Sequence, residues 1–401
     1  MSTLHNLHAF CAVAAAGSVR GAGEKLHRAF SAVARSIAGL ETTLDVLLFE
    51  RKGRGMLMTP AGATVKVRAD RIEQLLYAVY DDALRLSRRA SAAPPGNVNA
   101  LFSEHCLTAA VLLAESHNMP TVARAMGITQ PAVSQALARL EQALGCPLFL
   151  RNAQGMMPTD SGARWTVQFG RVLAELRHIE ADVTAISGYL KGLVTVGALP
   201  LSRTLLLPRA VTALLARHPG LQVRSIESPF EELCAGLLDG RVDFIVGALR
   251  EVTGPGLSSE ELFVDETVLI ARASHPLNTA DPLTLSDIAQ YPWVLSRAGT
   301  PLRDSLELFF GGHGRRAPQP AVETGDLALL RGLLLQEDFL TVLSAQQLHF
   351  ELNSGELTVL PFPMEGMQRA IGLLTRKGAQ HSPGAEALLA EIRKACTHAG
   401  R

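Results

Sequence analysis

GSVRGAGEKLHRAFSAVARSIAGLETTLDVLLFERKGRGMLMTPAG, residues 17–62, is followed later in the chain by MPTVARAMGITQPAVSQALARLEQALGCPLFLRNAQGMMPTDSG, residues 119–162. The two stretches match at one fixed offset. Ala32-Val33 recurs as Ala132-Val133, Leu40-Glu41 as Leu140-Glu141, Leu44 as Leu144, and Leu48-Phe49 as Leu148-Phe149. Arg51, Gly55-Met56, Thr59 and Gly62 recur as Arg151, Gly155-Met156, Thr159 and Gly162 without a slip of register. A constant long spacing of this kind marks a duplicated structural unit.

The second copy is the easier to read. Apolar residues at helical spacing (Cys106, Leu107, Ala110, Leu113, Ala114) predict a helix from Ser103 to Glu115. Asn118 can cap a second helix, Pro120 to Met126, with proline in its first turn and Gly127 ending it. Thr129 then caps a third, running from Gln130 to about Leu144 and burying Val133, Leu137, Leu140 and Leu144. Two short helices joined by a glycine-containing turn describe a helix-turn-helix. Two apolar stretches around Asn152-Ala153-Gln154-Gly155 read as a hairpin wing. In the first copy, Ser18 takes the place of Asn118 and Phe30 to Leu44 is the candidate reading helix.

The outward residues carry the chemistry of groove recognition. Amide, hydroxyl and guanidinium groups hydrogen-bond base edges and phosphates. In copy two these are Thr129, Gln130, Ser134, Gln135 and Arg139, with Pro131 among them and Arg151 in the wing. In copy one they are Ser31, Arg35 and Ser36 on the helix, and Arg51, Lys52 and Arg54 in a strongly basic wing suited to phosphate.

Both segments resemble the winged helix-turn-helix of LysR-type transcriptional regulators. The resemblance rests on the TQPAVSQAL core, the Leu-Glu pair, Leu-Phe-x-Arg and the closing Thr-x-x-Gly. The copies depart from that pattern in different places. Copy one has Phe30 where the family usually has Gln, and Ala34 where it usually has Ser. Copy two has Gln135 where a basic residue is common, and its wing has lost most of its charge. Two readings stay open: one copy is a structural relic, or both touch DNA.

Each copy leads into a long helical stretch, Ala61 to Arg89 and Ser161 to Ile186. The resemblance implies that such helices pair between subunits. Here both lie in one chain, joined by Ala92-Ala93-Pro94-Pro95-Gly96, and the expectation is an internal pseudo-dimer.

From Leu193 strands and helices alternate, which predicts parallel α/β lobes. Strands are expected at 193–197, 221–226 and 242–247, and helices at 205–217 and 231–238. A second alternation runs from Thr267, with 357–360 and 370–375 closing it. Two hinged lobes would hold a ligand in the cleft between them. This part resembles the LysR-type effector domain, a periplasmic-binding-protein-like fold. The matching pieces are Asp239–Gly247, Tyr291–Leu295, Ala298–Arg303 and Leu373–Arg376. The resemblance extends to the subgroup of galactose-binding-protein and protocatechuate-pathway regulators, and implies a sugar or an aromatic or organic acid as effector.

Candidate effector contacts are Ser202, Arg203, Thr204 and Ser228 on one side of the cleft and Ser296, Arg297 and Thr300 on the other. Hydroxyls and backbone N–H groups at helix starts suit oxygens, and an arginine suits a carboxylate. Helix capping is the competing use of Ser202 and Thr300.

These readings give an α/β multidomain chain. It has a first winged helix-turn-helix (1–62), a linker helix (63–91), a flexible linker (92–102) and a second winged helix-turn-helix (103–162). A second linker helix (163–190) and a two-lobed α/β effector domain (191–401) complete it. Double-stranded DNA and a small effector are the expected partners. The resemblance adds self-association through the effector domains and contact with RNA polymerase.

Bulk properties agree with this division. The chain has 401 residues and formal net charge +0 at pH 7, but Lys and Arg exceed Asp and Glu only before residue 96. A basic end on an acidic body suits a DNA-binding module carried by a regulatory one. Cys11, Cys106, Cys146, Cys234 and Cys396 are scattered, read as reduced thiols, with a redox switch at Cys234 as the alternative. The twelve histidines show no metal spacing. No phosphate loop, G-x-S-x-G elbow or H-E-x-x-H is present, so no cofactor, metal or enzymatic activity is expected. An enzyme or a transport-type binder with an appended head is the alternative. No basic stretch before an apolar run marks Met1 to Phe10 as a signal peptide, and no apolar run is long enough for a bilayer. The expected location is the cytoplasm.

Overall fold

The structure, a computed structural model, describes residues 3–52, 55–89, 94–250, 256–279 and 282–399. Head one comprises α1 (Thr3–Ala16), α2 (Val19–Leu26), α3 (Phe30–Leu44) and the hairpin β1 (Phe49–Lys52) and β2 (Gly55–Met58). It leads into the long helix α4 (Pro60–Arg89). Head two repeats the order: α5 (Glu104–Ser116), α6 (Met119–Met126), α7 (Gln130–Leu144), β3 (Phe149–Asn152), β4 (Gly155–Pro158) and α8 (Asp160–Ala185).

Each repeated residue has a mechanical task. Leu40 and Leu140 are buried, as are Leu48-Phe49 and Leu148-Phe149. The Glu41 carboxylate accepts from the backbone N–H of Leu48 at 2.8 Å, and Glu141 does the same for Leu148 at 2.8 Å. These bonds fix where the reading helix hands over to the wing. Thr59 accepts from Gly62 N at 2.9 Å and Thr159 from Gly162 N at 3.0 Å, starting the two long helices. At both glycines an added Cβ would overlap the carbonyl oxygen of Leu48 or Leu148, so only glycine allows the approach. Ser18 and Asn118 cap α2 and α6, accepting from Gly21 N and Thr121 N. Gly127 ends α6 at φ 66. Thr129 stands at the N-cap of α7, but its side chain makes no capping hydrogen bond.

The long helices pair within the chain and run antiparallel. The start of α4 meets the end of α8 through Arg68–Asp182, and the end of α4 meets the start of α8 through Asp82–Trp165. One continuous apolar core takes residues from both heads and both long helices, from Leu4 and Val33 to Val133, Phe169 and Val183. Residues 94–102, expected as a flexible linker, are held in place. Gly96 N donates to Ala143 O at 3.0 Å, the Tyr80 hydroxyl donates to Gly96 O at 2.7 Å, and Leu101 and Phe102 are buried.

The C-terminal part has two lobes. Lobe one is built from β5 (Gly192–Ala198), α9 (Leu206–Arg217), β6 (Leu221–Ile226), α10 (Phe230–Asp239), β7 (Phe244–Ala248) and β8 (Leu257–Asp265). Lobe two follows with β9 (Thr267–Arg272), α11 (Leu285–Ile288), β10 (Trp293–Leu295), α12 (Pro301–Gly312) and β11 (Pro320–Glu323). It continues through α13 (Leu327–Gln336), β12 (Thr341–Ser344), α14 (His349–Ser354) and β13 (Leu357–Val359). The chain then returns to lobe one with β14 (Arg369–Arg376) and α15 (Pro383–Ala399).

The sheets are mixed, not wholly parallel. In lobe one the order is β6-β5-β7-β14-β8, with β5 parallel to β6 and β7, and β14 antiparallel to β7 and β8. In lobe two β9 is flanked by antiparallel β12 and β13, while β10 and β11 are parallel. The expectation that 370–375 closes the second lobe is therefore corrected: β14 fills the middle of the first. Its sequence, Ala-Ile-Gly-Leu-Leu-Thr, says strand but not which sheet. Among the described residues no helix is long and apolar enough to cross a membrane.

Candidate nucleic-acid interface and effector crevice

The two reading helices present the same exposed face from different residues. Val33, Ile37 and Leu40 of α3, and Val133, Leu137 and Leu140 of α7, turn inward. Ser31 and Arg35 are exposed on α3; Gln130, Pro131, Ser134, Gln135 and Arg139 are exposed on α7, with Thr129 exposed just before it. Arg139 also borders the crevice formed with Gly96, Asn97 and Gln142. Ser36 is corrected: it is fully buried, and its hydroxyl accepts from Arg28 Nη2 at 3.4 Å. It lies three residues beyond Val33 and shares the inward face. Arg51 and Lys52 fall in β1, and Arg151 is exposed in β3. Arg54 lies outside the described residues.

One residue on this face was not among those singled out. Phe30, the first residue of α3, is 68% exposed, at the position that Gln130 holds on α7. The signal was present in the repeat, since a large apolar side chain occupied a position expected to be polar.

The junction between the long helices and lobe one is built from arginines. Arg68 is fully buried; it donates to Asp182 at 2.7 Å and Glu175 at 2.7 Å, and to the carbonyl oxygens of Gln380 and His381. Burial works against its charge, but the bonds to Asp182 and Glu175 outweigh that and hold its pKa above the usual arginine value. Arg71 donates to Glu175 at 2.9 Å and to Gly378 O. Its repeat partner Arg171 donates to Leu238 O at 2.6 Å, and Arg177 donates to Gly240 O at 2.8 Å. Burial pushes the pKa of both Arg171 and Arg177 down. Lobe one thus rests on both helices, gripping α4 through the 378–381 loop and α8 through the end of α10. Nothing in the sequence reading pointed to this junction, because its acceptors are backbone carbonyls with no residue signature.

On the effector side the candidates separate into two groups. Ser202 is fully buried and donates to Leu199 O, Arg203 Nε donates to Ala198 O, and Thr204 donates across to Gln346 O of lobe two at 3.2 Å. The Ser202 hydroxyl is thereby committed to its own turn. Ser228 is half-buried after β6. In lobe two the Thr300 hydroxyl donates to Arg297 O at 2.8 Å and lies 3.0 Å from Ser296 Oγ, from which it can accept, while Arg297 is exposed. Arg303, one turn into α12, keeps a buried Nη1 with no partner among the described residues.

The lobes are joined by a polar hinge. Asp265, at the end of β8, accepts from Ser344 at 2.6 Å and from Arg369 at 3.2 Å, and Arg369 also reaches Gln347. Burial pushes the Asp265 carboxyl up against the pull of Ser344 and Arg369. Cys234 is half-buried with its thiol pushed up by burial, and among the described residues it has no disulfide partner. A thiol so held is a poor nucleophile, so the geometry gives the redox alternative no support.

The family described as "Bacterial regulatory helix-turn-helix protein, lysR family" matches residues 4–63 and again 106–163. "LysR substrate binding domain" matches residues 187–397. The HTH-type transcriptional regulator GalR of Pseudomonas putida is 43% identical over 99% of this chain and 98% of its own length, a match that runs through both heads. The uncharacterized HTH-type transcriptional regulator YdcI of Escherichia coli is 30% identical over 74% of this chain and 98% of its own. Among solved structures, CbnR, a LysR family transcriptional regulator, superposes with a TM-score of 0.52 at 19% identity, covering 73% of this chain and 99% of that one. Full-length OxyR from Pseudomonas aeruginosa gives a TM-score of 0.54 at 21% identity over 73% and 94%. Two matched heads, a matched sensor domain and a relative similar from end to end place the chain in the LysR family of DNA-binding transcriptional regulators.

Proposed function

We propose that this regulator docks both heads on one promoter through its own internal pseudo-dimer, and that a small effector bound between the lobes re-poses them. The observation that carries the reading is the antiparallel pairing of α4 and α8 in a single chain with one shared core. Two reading helices joined that way meet DNA as a dimer would. Ser31, Arg35, Gln130, Ser134 and Gln135 supply base-edge contacts, with Thr129 and Pro131 at the mouth of α7. Arg51, Lys52, Arg54, Arg139 and Arg151 supply phosphate contacts. Lobe one touches both long helices, so a change in lobe closure reaches both heads through Arg68, Arg71, Arg171 and Arg177.

The effector is a polyhydroxylated or aromatic carboxylate. The free donor on Arg303 and the exposed guanidinium of Arg297 serve its anion, and Thr204, Ser228, Ser296 and Thr300 its other oxygens. Further copies assemble through the effector domains and present the complex to RNA polymerase. The test uses the full chain on promoter DNA in a mobility-shift titration, with a thermal-shift screen of sugar acids and aromatic acids. A ligand at 100 times its dissociation constant adds about 2.7 kcal/mol. Arg35→Ala and Gln130→Ala must each weaken DNA binding. If either is silent, that head does not read DNA and the paired-head proposal fails.

A further inference from the structure

The two reading faces share a skeleton but not a surface. The burial sequence of α3 from Phe30 to Ala38 repeats that of α7 from Gln130 to Ala138. Within that identical frame the exposed residues that differ are Phe30, Ser31, Ala34 and Arg35 in head one and Gln130, Pro131, Ser134 and Gln135 in head two, while Ala38 and Ala138 agree. Head one offers a ring, a small hydroxyl, a methyl and a guanidinium; head two offers two amides, a hydroxyl and a proline ring. No single base-pair pattern satisfies both sets. Gln pairs with adenine through its N6 and N7, Arg with guanine through O6 and N7, and an apolar side chain meets the 5-methyl of thymine.

Phe30 sits where this matters most. It opens α3, and the N-terminal residues of a reading helix are the ones that reach base edges. At 68% exposure most of its surface is open, on a face that also carries Ser31 and Arg35. We infer that the two heads read unlike half-sites, with Phe30 selecting a thymine in the first by covering its 5-methyl group, while Gln130 and Gln135 select purine edges in the second.

The asymmetry has a direction. Only α8 runs on into lobe one, and the lobe grips the two long helices through different loops. An operator with unlike halves therefore sets which way the single sensor faces along the DNA. In a symmetric operator the complex would bind equally in both directions.

The inference rests on the reading that both heads dock on DNA, and its experiment separates the two. Full-length protein selects binding sequences from a random duplex pool. The enriched site is then titrated by fluorescence anisotropy with each thymine replaced, one at a time, by deoxyuridine. Wild type is expected to enrich a non-palindromic site. It should lose about fourfold in affinity when one thymine, in one half only, loses its methyl, the effect of one buried carbon. Phe30→Ala should bind the deoxyuridine and thymidine sites alike, and Phe30→Gln should favour adenine at that base pair. Gln130→Ala should leave the methyl dependence intact and relax the other half. All three changes lie on the exposed face, and thermal melting checks that each variant folds. A palindromic site, or a methyl penalty that survives Phe30→Ala, overturns the inference while leaving the regulator reading in place. Failure to enrich any sequence overturns both.

Discussion

Head one and head two are the same object inside and different objects outside. Leu40, Glu41, Leu48, Phe49 and Gly62 recur in head two with the same burial, and the Glu41 and Thr59 bonds recur at Glu141 and Thr159. Among the differences, two groups bear on what the heads touch: the exposed face of the reading helix with its wing, and the inner face of the long helix where it meets its twin and lobe one. Arg68 corresponds to Gln168 and Leu75 to Glu175, whereas Arg71 and Arg171 agree. The agreeing arginines both hold carbonyls of lobe one; the disagreeing pair builds the ion cluster that exists at one end only. The duplication thus repeats what folds a head and varies what the head touches.

The sharpest way to break that comparison is at its least symmetric point. Arg68→Ala leaves Asp182 buried without its cation, and Glu175 with Arg71 alone. Breaking a buried pair in this way costs about 3–5 kcal/mol, read as a shift of the urea midpoint. The twin substitution Gln168→Ala removes a 3.3 Å contact with Arg171 at a half-buried position. It should cost about 1 kcal/mol or less. Equal costs would mean that the buried cluster does not set the junction's stability.

Next comes the point of greatest symmetry. Gly62→Ala and Gly162→Ala each drive a methyl into a backbone carbonyl, Leu48 O or Leu148 O. Each should cost about 1–3 kcal/mol, with similar values in the two heads. Because the heads share one core, either variant should lower a single calorimetric transition for both. A split transition, with only the mutated head melting early, would show that the heads fold apart.

The same division explains what was legible in the sequence. The duplication, the reading helices α3 and α7 and the wings could be read from local signals, while the pairing of the long helices was an expectation drawn from the resemblance. Caps, glycines and apolar spacing act within a few residues. Ser36 was misplaced because a serine looks polar whichever way it faces; only its spacing from Val33 marked it as inward. Strands β8 and β11 escaped notice, and β14 was given to the wrong lobe. Which sheet a strand joins is a long-range choice, here a return crossing after all of lobe two. The sensor-to-helix junction was invisible because half of each bond is backbone.

The two junctions should also answer acid in opposite directions. At the α4 side, burial pushes the His381 imidazole below its ordinary value, against the pull of Glu386 and Asp243 and with Arg376 and His178 opposing the charge. A lowered folded value means that stability is present above about pH 6.5 and is lost as pH falls toward the folded pKa. At the α8 side, burial raises the carboxyls of Asp239 and Glu115, despite Arg241 beside both. Their contribution is full below about pH 4 and is lost as pH rises through the raised values. Acidification from about pH 7 to about pH 4 should therefore weaken the first junction and relieve the second. His381→Gln should flatten the loss, and Asp239→Asn should flatten the gain, in urea midpoints measured across that range. A His381→Gln profile parallel to wild type would remove the histidine from the account.

The smallest effect belongs to a residue that is repeated yet does different work. Asp82 and Asp182 occupy equivalent positions near the ends of α4 and α8. Asp182 takes the buried Arg68, while Asp82 takes Trp165 Nε1 at 2.9 Å and the half-exposed Arg164 at 3.3 Å. An ion pair open to water contributes at most about 1 kcal/mol, so Arg164→Ala should be almost silent. Asp82→Ala should cost more, about 1–3 kcal/mol, because it strands the indole N–H of a Trp165 that is 2% exposed. If instead Arg164→Ala matched Asp82→Ala, the guanidinium and not the buried indole would be fastening that end of the pair. The contrast between a neutral and a charged end of the pseudo-dimer would then disappear.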